Sequence, residues 1–444
     1  MVGVLHLPRG GKALKRLFVH ATILTMKEGQ APLPDAAMIV EDDRIRYIGP
    51  APSETDGYDE VVDMTGKAIL PGWVNTHGHA AMSLLRGYAD DYPLKTWLEE
   101  KMWPMEARFG PEQIRWGSAL SVLEMIKGGT TCFLDMYDHM DQVGQVVEEA
   151  GIRAVLCRGA IGLCSEEEQR AKLEEAVRFA REWNGGADGR ITTMMAPHAP
   201  YTCPPDYIAR FVEKARELNL PIHTHMSETE AEVQLNVEQY GHRPVEHLRR
   251  LGVFDGPALV AHAVHLTGEE IEILAEHGVK VSHNPGSNLK LGSGIAPIPE
   301  MLAAGLRPSL GTDGPASNNN LDMLEEIRLA ALIHKGVNQD PEAVPSTTAL
   351  RMGTSYGAEA LFLEDQIGTL EPGKKADFIA VDLTGPHMQP LHDIESHLVY
   401  SASRDDVRDV YVDGRPLLRN GECLTLDEEK IRYHAQKAFD AIRP

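Results

Sequence analysis

Cysteine is scarce in this chain of 444 residues. Its five cysteines are scattered along the sequence: Cys132, Cys157, Cys164, Cys203 and Cys423. Their number is odd and no two form a Cys-x-x-Cys pair, so the sequence predicts neither a disulfide framework nor a cysteine-ligated zinc site. Because reduced thiols are typical of the cytosol, we expect a cytoplasmic protein.

Positive charge and long apolar segments are also in short supply. The chain has 43 Lys and Arg residues against 66 Asp and Glu, a formal net charge of −23. Nucleic acid and anionic membranes repel such a chain, so we expect neither as a partner. No long apolar segment follows the basic residues near the N-terminus, so we expect no signal peptide and no membrane span. A soluble acidic enzyme is the simplest interpretation.

Histidine, by contrast, occurs where it can bind a metal. An apolar run ends in Pro-Gly-Trp-Val-Asn-Thr-His-Gly-His at residues 71–79. Alternate residues of a β-strand face the same side, so His77 and His79 can point at one cation. Taken alone, the pair could equally be surface or core histidines.

Three further apolar runs end on side chains that can bind a metal or act on a proton. Their last residues are His225, His262 and Asp313, and a helix-like segment follows each run. This alternation is typical of a β/α barrel, where functional residues lie at the carboxyl ends of the strands. His223, two residues before His225, is interpreted as packing or as support for the ligands.

The predicted ligands are therefore His77, His79, His225 and Asp313, drawn together from distant parts of the chain. Three imidazoles and one carboxylate suit zinc, with one position left open for water. We expect one Zn²⁺ per subunit, although iron or manganese could occupy the same ligands.

Eight segments are strand candidates for the barrel, and helical patterns fill the gaps between them. They are residues 68–76, 130–136, 152–158, 190–196, 221–226, 258–262, 278–282 and 306–312. Eight is the number that a closed barrel requires. The predicted fold class is therefore α/β, with a (β/α)8 TIM-type barrel.

Four motifs carry a resemblance that covers nearly the whole chain. They are the segment at 71–79, Ser-His-Asn-Pro at 282–285, Gly-Thr-Asp-Gly at 311–314, and Gly-Thr-Leu-Glu-Pro-Gly-Lys-Lys-Ala-Asp at 368–377. The chain resembles the amidohydrolase superfamily, and within it the deaminases of 5'-methylthioadenosine and S-adenosylhomocysteine. The motifs are specific for the superfamily and less specific for the substrate.

The resemblance implies how the two ends of the chain are used. Short strand-like pieces occur at 17–26, 37–40, 45–48, 377–382, 398–402 and 407–418. Periodicity alone would allow two separate pieces, but the resemblance implies one small β-sandwich domain. We therefore expect residues 1–70 and 366–444 to form that domain, and residues 71–365 to form the barrel.

The resemblance also implies substrate contacts. The long connection from about residue 80 to 129 would form a lid, and Glu106 within it would hold ribose hydroxyls. The alternative is a solvated helix residue. His198 would contact the substrate, unless it is a structural capping histidine. Binuclear members of the superfamily have a bridging lysine near this fourth strand, but none occurs between Lys172 and Lys214, which favours one metal.

Hydrolytic deamination of an adenine ring needs an activated water and two proton transfers. Asp313 is expected to ligate the metal and accept the proton of the water, while His262 orients the nucleophile. Glu228 is the predicted acid that protonates a ring nitrogen and then the departing ammonia. Its alternative interpretation is a residue on a helix surface.

The tail of a larger substrate would meet arginine. The resembled family holds the carboxylate of a homocysteine tail with arginines in this region, which here implies Arg158 and Arg170. A guanidinium group can bind a carboxylate through two hydrogen bonds.

Two other functions remain open from the sequence. One is another reaction on an aromatic heterocycle, such as guanine deamination or triazine hydrolysis, in which Glu106 would have no ribose to bind. The other is a catalytically silent scaffold, although such a barrel would be expected to lack at least one of the predicted metal or catalytic residues. We expect a nucleoside as the small-molecule partner and a homo-oligomer as the assembly.

Overall fold

A computed structural model describes residues 13–443. Five strands come first in the chain: β1 (Lys15–Ile23), β2 (Leu33–Glu41), β3 (Arg44–Pro50), β4 (Glu60–Asp63) and β5 (Lys67–Pro71). β1, β2 and β3 form an antiparallel meander, and β4 and β5 both pair with β1 in parallel.

The next strands form the barrel. They are β6 (Trp73–Asn75), β7 (Thr130–Tyr137), β8 (Arg153–Ala160), β9 (Ile191–Thr193), β10 (Ala196–Pro197), β11 (Ile222–Met226), β12 (Ala258–His262), β13 (Lys280–His283) and β14 (Ser309–Leu310). β9 and β10 are two halves of the fourth barrel strand, and both pair with β8. All the strand pairs of this group are parallel.

Backbone contacts join the two barrel sheets into a ring. A parallel bridge between Met195 and Ile222 connects the fourth strand to β11. On the other side, the N–H of Thr76 donates to the carbonyl of Leu310 at 2.9 Å. The predicted α/β fold with a (β/α)8 barrel is thus confirmed. The predicted first strand, 68–76, is divided at Gly72, because its first half pairs outside the barrel.

Helices lie between and after the barrel strands. They are α1 (Leu94–Thr96), α2 (Trp103–Glu106), α3 (Pro111–Lys127), α4 (Met140–Ala150), α5 (Glu166–Trp183), α6 (Gly186–Gly189), α7 (Pro205–Leu218), α8 (Glu230–Tyr240), α9 (Pro244–Arg250), α10 (Gly268–Glu276), α11 (Pro285–Lys290), α12 (Ile298–Ala303), α13 (Met323–Asn338), α14 (Ser346–Met352), α15 (Ser355–Ala360), α16 (Ile394–Tyr400) and α17 (Glu428–Asp440). Short 3-10 or π segments occupy Ala80–Leu85, Trp97–Met102, Val253–Asp255, Pro386–Met388 and Arg404–Asp406. Among residues 13–443, no helix combines the length and apolarity needed to cross a membrane.

Local sequence explains where several of these helices begin. Ser165 accepts a hydrogen bond from the N–H of Glu168, whose side chain reaches back to the N–H of Ser165. Thr267 and Glu270 form the same capping box before α10. Such caps satisfy N–H groups that the first helical turn leaves unpaired.

The two ends of the described chain share one mixed sheet, in which β4 and β5 run parallel to β1 and the other strand pairs are antiparallel. β15 (Phe378–Asp382), β16 (Val407–Val412), β17 (Arg415–Arg419) and β18 (Glu422–Cys423) extend it, with β15 pairing to β5. Phe18, Phe378 and Tyr411 form an aromatic cluster in its core, with ring centroids 4.5–5.3 Å apart. The domain division at residues 70 and 366 stays a prediction.

One predicted strand-like piece, 398–402, is mostly helical. The carboxylate of Asp393 accepts the N–H of Ser396 at 3.0 Å and so caps α16. Leu398 and Val399 are buried on one side of the helix. The helix cap at Asp393 therefore outweighs the strand preference of the apolar residues that follow it.

Candidate active site

The four predicted metal ligands lie together at the carboxyl end of the barrel. His77 and His79 follow β6, His225 lies in β11, and Asp313 follows β14. Asp313 Oδ1 is 3.3 Å from Nε2 of both His77 and His79, and His225 Nε2 is 3.4 Å from His79 Nε2. The ligand atoms of the three histidines all lie within 4.8 Å of one another.

Backbone carbonyls orient two of these rings. His79 Nδ1 lies 2.7 Å from the carbonyl of Met136, and His225 Nδ1 lies 2.6 Å from that of His198. A carbonyl can only accept, so each Nδ1 carries the proton and the neutral ring leaves a lone pair on Nε2. Two lone pairs directed at each other 3.4 Å apart fit a cation placed between them.

A relay fixes the third ring in the same way. Burial holds the pKa of His223 well below its usual range, so this ring is neutral. His223 Nδ1 donates to the carbonyl of Leu259 at 3.0 Å, and its Nε2 accepts from Nδ1 of His77 at 2.9 Å. Among residues 13–443, the buried His77 Nε2 has no hydrogen-bond partner. The donor set and its orientation therefore fit a zinc ion.

Asp313 faces two ways. Its Oδ1 meets the histidines, and its Oδ2 accepts hydrogen bonds from Ser287 Oγ at 2.6 Å and Ser317 Oγ at 2.9 Å. Burial opposes ionisation, but His77 and His79 outweigh it and hold the pKa of Asp313 well below its usual range. Burial likewise opposes protonation of His79, but Asp313 raises the pKa of His79 to about 9. With no metal bound, this raised pKa places a second proton on His79 at Nε2, and a metal bound there would displace it and leave the ring neutral.

Glu228 and His262 lie beside this cluster. His262 Nε2 is 3.7 Å from Glu228 Oε2, and its Nδ1 lies 2.8 Å from Asn288 Oδ1. Because an amide oxygen accepts, Nδ1 of His262 carries the proton and its Nε2 stays free to accept. Both residues are buried, and burial raises the pKa of Glu228. A neutral carboxylic acid can donate a proton to a substrate.

A cavity of about 620 Å³ opens above these residues. Residues of the long connection after β6 line its outer part: Met82, Leu94, Trp97, Leu98, Trp103, Glu106 and Ala107. Glu106 is half-buried and accepts a short hydrogen bond from the hydroxyl of Tyr137, and burial raises the pKa of Glu106. Its second oxygen is available to a ligand in the cavity.

The structure separates the two predicted arginines. Arg158 is buried in the cavity wall, where its guanidinium contacts Glu175 at 2.9 Å and Asp138 at 3.2 Å. Arg170 is exposed on α5 and does not line the cavity. Its predicted role stays a prediction.

Lys172 is a cation that sequence reasoning missed. It lines the cavity, and its Nζ donates to the carbonyl of Ile161 at 2.9 Å. Within residues 13–443, no carboxylate forms an ion pair with it. The signal that could have found Lys172 is the helical phase of α5, which turns the residue two positions after Arg170 to another side of the helix.

His198 lies within the cavity wall. Its Nδ1 is 2.8 Å from Thr202 Oγ1, and its ring centroid is 4.5 Å from that of His225. Burial lowers the pKa of His198 to about 3, so the ring is neutral. Sequence reasoning also missed three cavity residues that carry hydroxyls or an aromatic ring: Tyr137, Tyr201 and Ser317. Tyr201 follows His198 by three residues, but the other two carried no recognisable signal.

Comparisons with known proteins agree with this geometry. A model of the amidohydrolase family matches residues 68–417. A 5-methylthioadenosine/S-adenosylhomocysteine deaminase of Halalkalibacterium halodurans is 53% identical over 88% of this chain and 90% of its own length.

Two solved structures extend the comparison. A zinc-bound adenosine deaminase of Xanthomonas campestris has a TM-score of 0.91 and 38% identity, covering 97% of this chain and 99% of its own. A zinc-bound atrazine chlorohydrolase of Arthrobacter aurescens has a TM-score of 0.89 and 26% identity, covering 96% of this chain and all of its own. The cluster described above therefore lies in a fold that holds zinc in other proteins.

Proposed function

Because this chain belongs to the amidohydrolase family, we propose that it is a hydrolytic deaminase of 5'-substituted adenosines. The substrates would be 5'-methylthioadenosine, S-adenosylhomocysteine, 5'-deoxyadenosine and adenosine, and the products the corresponding inosines and ammonia. The observation that carries the proposal is the meeting of unpaired imidazole nitrogens with Glu228 and Asp313 at the floor of one cavity. The name of the relative that is 53% identical supports the substrate class.

His77, His79, His225 and Asp313 would hold one Zn²⁺ per chain, with iron or manganese as the alternatives that metal analysis distinguishes. When bound, zinc lowers the pKa of a water to ~7 and so makes it nucleophilic at neutral pH. The relay through His223 keeps the proton of His77 on Nδ1 and its Nε2 available.

The protein supplies the proton transfers. Asp313, kept ionised, accepts the proton of the water, and His262 orients that water through Nε2. Glu228, whose pKa is raised by burial, gives a proton to a ring nitrogen of the adenine. It regains a proton from the hydroxyl group that has added to the ring and passes that proton to the leaving ammonia. Exchange with solvent then returns Asp313 to its ionised form and Glu228 to its protonated form. Acid and base catalysis of this kind contributes ~100- to 10,000-fold each.

Recognition divides between the ribose and the 5' tail. Glu106 accepts hydrogen bonds from the ribose hydroxyls with the oxygen that Tyr137 leaves free. His198 contacts the purine as a neutral ring. Arg158 and Lys172 line the cavity and would meet a charged tail, whereas Arg170 is exposed on α5 and does not line it.

Triazine hydrolysis and guanine deamination are the alternative reactions. The similarity of the fold to that of atrazine chlorohydrolase is the reason to consider triazine hydrolysis. Glu106 argues against both, because neither ring carries hydroxyls for that carboxylate to bind. A cytoplasmic location, with which five free cysteines are in keeping, remains part of the proposal. A homo-oligomeric assembly is proposed as well.

An ultraviolet assay tests the proposal. Metal-analysed protein is incubated with adenosine, 5'-deoxyadenosine, methylthioadenosine, S-adenosylhomocysteine, guanine and a chlorotriazine, and the change in chromophore is followed. We expect turnover of the nucleosides alone, lost on chelation and restored by zinc. No turnover of any nucleoside by fully metallated protein would overturn the adenosine assignment.

A further inference from the structure

A buried carboxylate outside the cavity contacts two loops of the site. Glu326 lies in the first turn of α13, is completely buried, and does not line the cavity. Its Oε2 accepts the N–H of Gly286 at 2.9 Å, and its Oε1 accepts from the Asn318 amide at 2.6 Å. Gly286 follows β13 and Asn318 follows β14, so one side chain joins the loops of two neighbouring strands.

The close approach depends on glycine. A Cβ atom at residue 286 would lie 2.4 Å from Glu326 Oε1 and 2.8 Å from the Asn318 amide nitrogen. No side chain larger than hydrogen fits there without a shift of its neighbours. The backbone of α11 therefore packs directly against Glu326 at Gly286, the second residue of the helix.

The next two residues of α11 hydrogen-bond to Asp313 and His262. Ser287 Oγ donates to Asp313 Oδ2 at 2.6 Å, and Asn288 Oδ1 lies 2.8 Å from Nδ1 of His262. On the second loop, Ser317 precedes Asn318 and donates to the same Oδ2 of Asp313 at 2.9 Å. Three polar contacts to Asp313 and His262 thus come from residues one or two positions away from the ones that Glu326 binds.

Glu326 is not needed to cap its own helix, because another residue does so. The side chain of Asp322 accepts the N–H groups of Leu324 and Glu325 and so caps α13. Both oxygens of Glu326 are directed away from its own helix, toward the two loops. Burial raises the pKa of Glu326 to about 8. A buried carboxyl group is costly unless its hydrogen bonds are made, so this placement needs the two loops as partners.

We propose that Glu326 is a positioning residue for the reaction, which acts through Gly286 and Asn318 to orient Asp313 and His262. The inference rests on the proposed function for the identity of the reaction. Mutation of a residue that orients the metal ligands commonly lowers metal affinity or activity by about 10- to 100-fold. We expect an effect of that size on both zinc affinity and kcat.

The test compares Glu326→Gln with Glu325→Gln, an exposed neighbour on the same helix. A glutamine has one acceptor oxygen, so it cannot accept both bonds. Zinc affinity is measured first, by competition with a chelator, and needs no substrate. Turnover of methylthioadenosine at saturating zinc then gives kcat and KM. For E326Q we expect zinc affinity and kcat about 10- to 100-fold lower, with KM within about twofold of the wild type. E325Q should match the wild type.

A double-mutant cycle separates positioning from general loss of structure. If Glu326 acts through α11, E326Q combined with Ser287→Ala should be about as impaired in zinc affinity as the worse single variant, because the two changes remove one chain of contacts. Effects that multiply as independent ones would overturn the proposal, and so would an E326Q variant with wild-type zinc affinity and kcat.

Asn318→Ala provides a second arm should E326Q not fold. It removes the link from Glu326 to the β14 loop and is expected to lower zinc affinity in the same direction, so an unchanged affinity would overturn the proposal. Zinc affinity decides the inference whichever substrate the enzyme prefers. Wild-type protein that binds zinc tightly without deaminating any nucleoside would instead refute the proposed function.

Discussion

The two ends of the barrel each bury a polar cluster, and the clusters differ in how completely they are paired. At the amino end, Arg153 opens β8 and its guanidinium contacts Asp377 at 2.8 Å and Asp413 at 2.5 Å. The N–H of Asp413 also donates to Asp377 at 2.8 Å. Lys375 is a further cation 3.5 Å from Asp413. This cluster joins the barrel to the mixed sheet with its charges matched.

The cluster at the carboxyl end is unmatched. Within the described part of the chain, His77 Nε2 is buried without a hydrogen bond, and Nε2 of His79 and of His225 face each other at 3.4 Å. Complete pairing is what a structural cluster needs, because an unpaired buried charge is costly. Incomplete pairing beside a cavity is what a binding site needs, since the missing partner is the ligand. The comparison predicts that changes at the amino end alter stability and changes at the carboxyl end alter activity.

The largest expected effect is that of His225→Ala. The change removes one of three nitrogen ligands, so we expect loss of bound zinc and turnover reduced to the buffer blank. Elemental analysis and the ultraviolet assay measure the two outcomes. The metal-free variant should unfold at a denaturant concentration close to that of metal-free wild type. Substantial turnover with no bound metal would contradict the ligand assignment.

Glu228→Gln should have the next largest effect. Glutamine keeps the shape but cannot donate the proton, so we expect kcat to fall about 100- to 10,000-fold. Zinc content should remain that of the wild type. Glu230→Gln is the matched control, because Glu230 is exposed two residues further on. A Glu228→Gln variant that kept most of its turnover would refute the role of Glu228.

The pH dependence of the wild type bears on the same role. Burial raises the pKa of Glu228, and the protonated form is the active one. Activity should therefore persist above the ordinary pKa of a glutamate and fall as pH rises through the raised value. A profile that rose steadily with pH across this range would contradict a proton-donating Glu228.

Arg153→Met, at the amino end of the barrel, should lower stability and leave activity unchanged. It leaves two buried carboxylates without their guanidinium, so we expect a loss of about 3–5 kcal/mol in the free energy of unfolding. The kcat of the folded fraction should stay that of the wild type. Arg178→Met is the control, because Arg178 forms exposed ion pairs worth about 0–1 kcal/mol. Chemical denaturation measures both variants, and a large fall in kcat for Arg153→Met would erase the distinction between the two ends.

The smallest effects concern the 5' tail. A hydrogen bond to a charged group contributes ~1.5–3 kcal/mol, so Arg158→Met and Lys172→Met should each raise KM for S-adenosylhomocysteine about 10- to 100-fold. Methylthioadenosine and adenosine should be little affected by either change. Steady-state kinetics on the three nucleosides decides this, and equal losses on all of them would remove the tail assignment.

The sequence was most informative where chemistry and periodicity coincide. His77, His79, His225 and Asp313 each end an apolar run, so strand ends and candidate ligands could be predicted together. The barrel followed, because parallel strands bring their carboxyl ends to one side.

The rest depends on contacts that no local pattern records. The partner of Arg153 is Asp377, 224 residues further along the chain. His223 is interpreted from the sequence as packing or support for the ligands, but the ligand that it supports, His77, lies 146 residues away. Lys172 faces the cavity and Arg170 does not, because two residues along α5 lie on different sides of the helix. Such pairings are set by tertiary packing, so they emerged only from the structure.

Zinc titration of metal-free protein tests the central claim most directly. Bound zinc and methylthioadenosine deamination are measured on the same samples as zinc is added. We predict that both rise together and level off at one zinc per chain. Full turnover before any zinc is bound, or one tightly bound zinc with no turnover of any nucleoside, would contradict the claim that the unpaired cluster is the catalytic metal site of a deaminase.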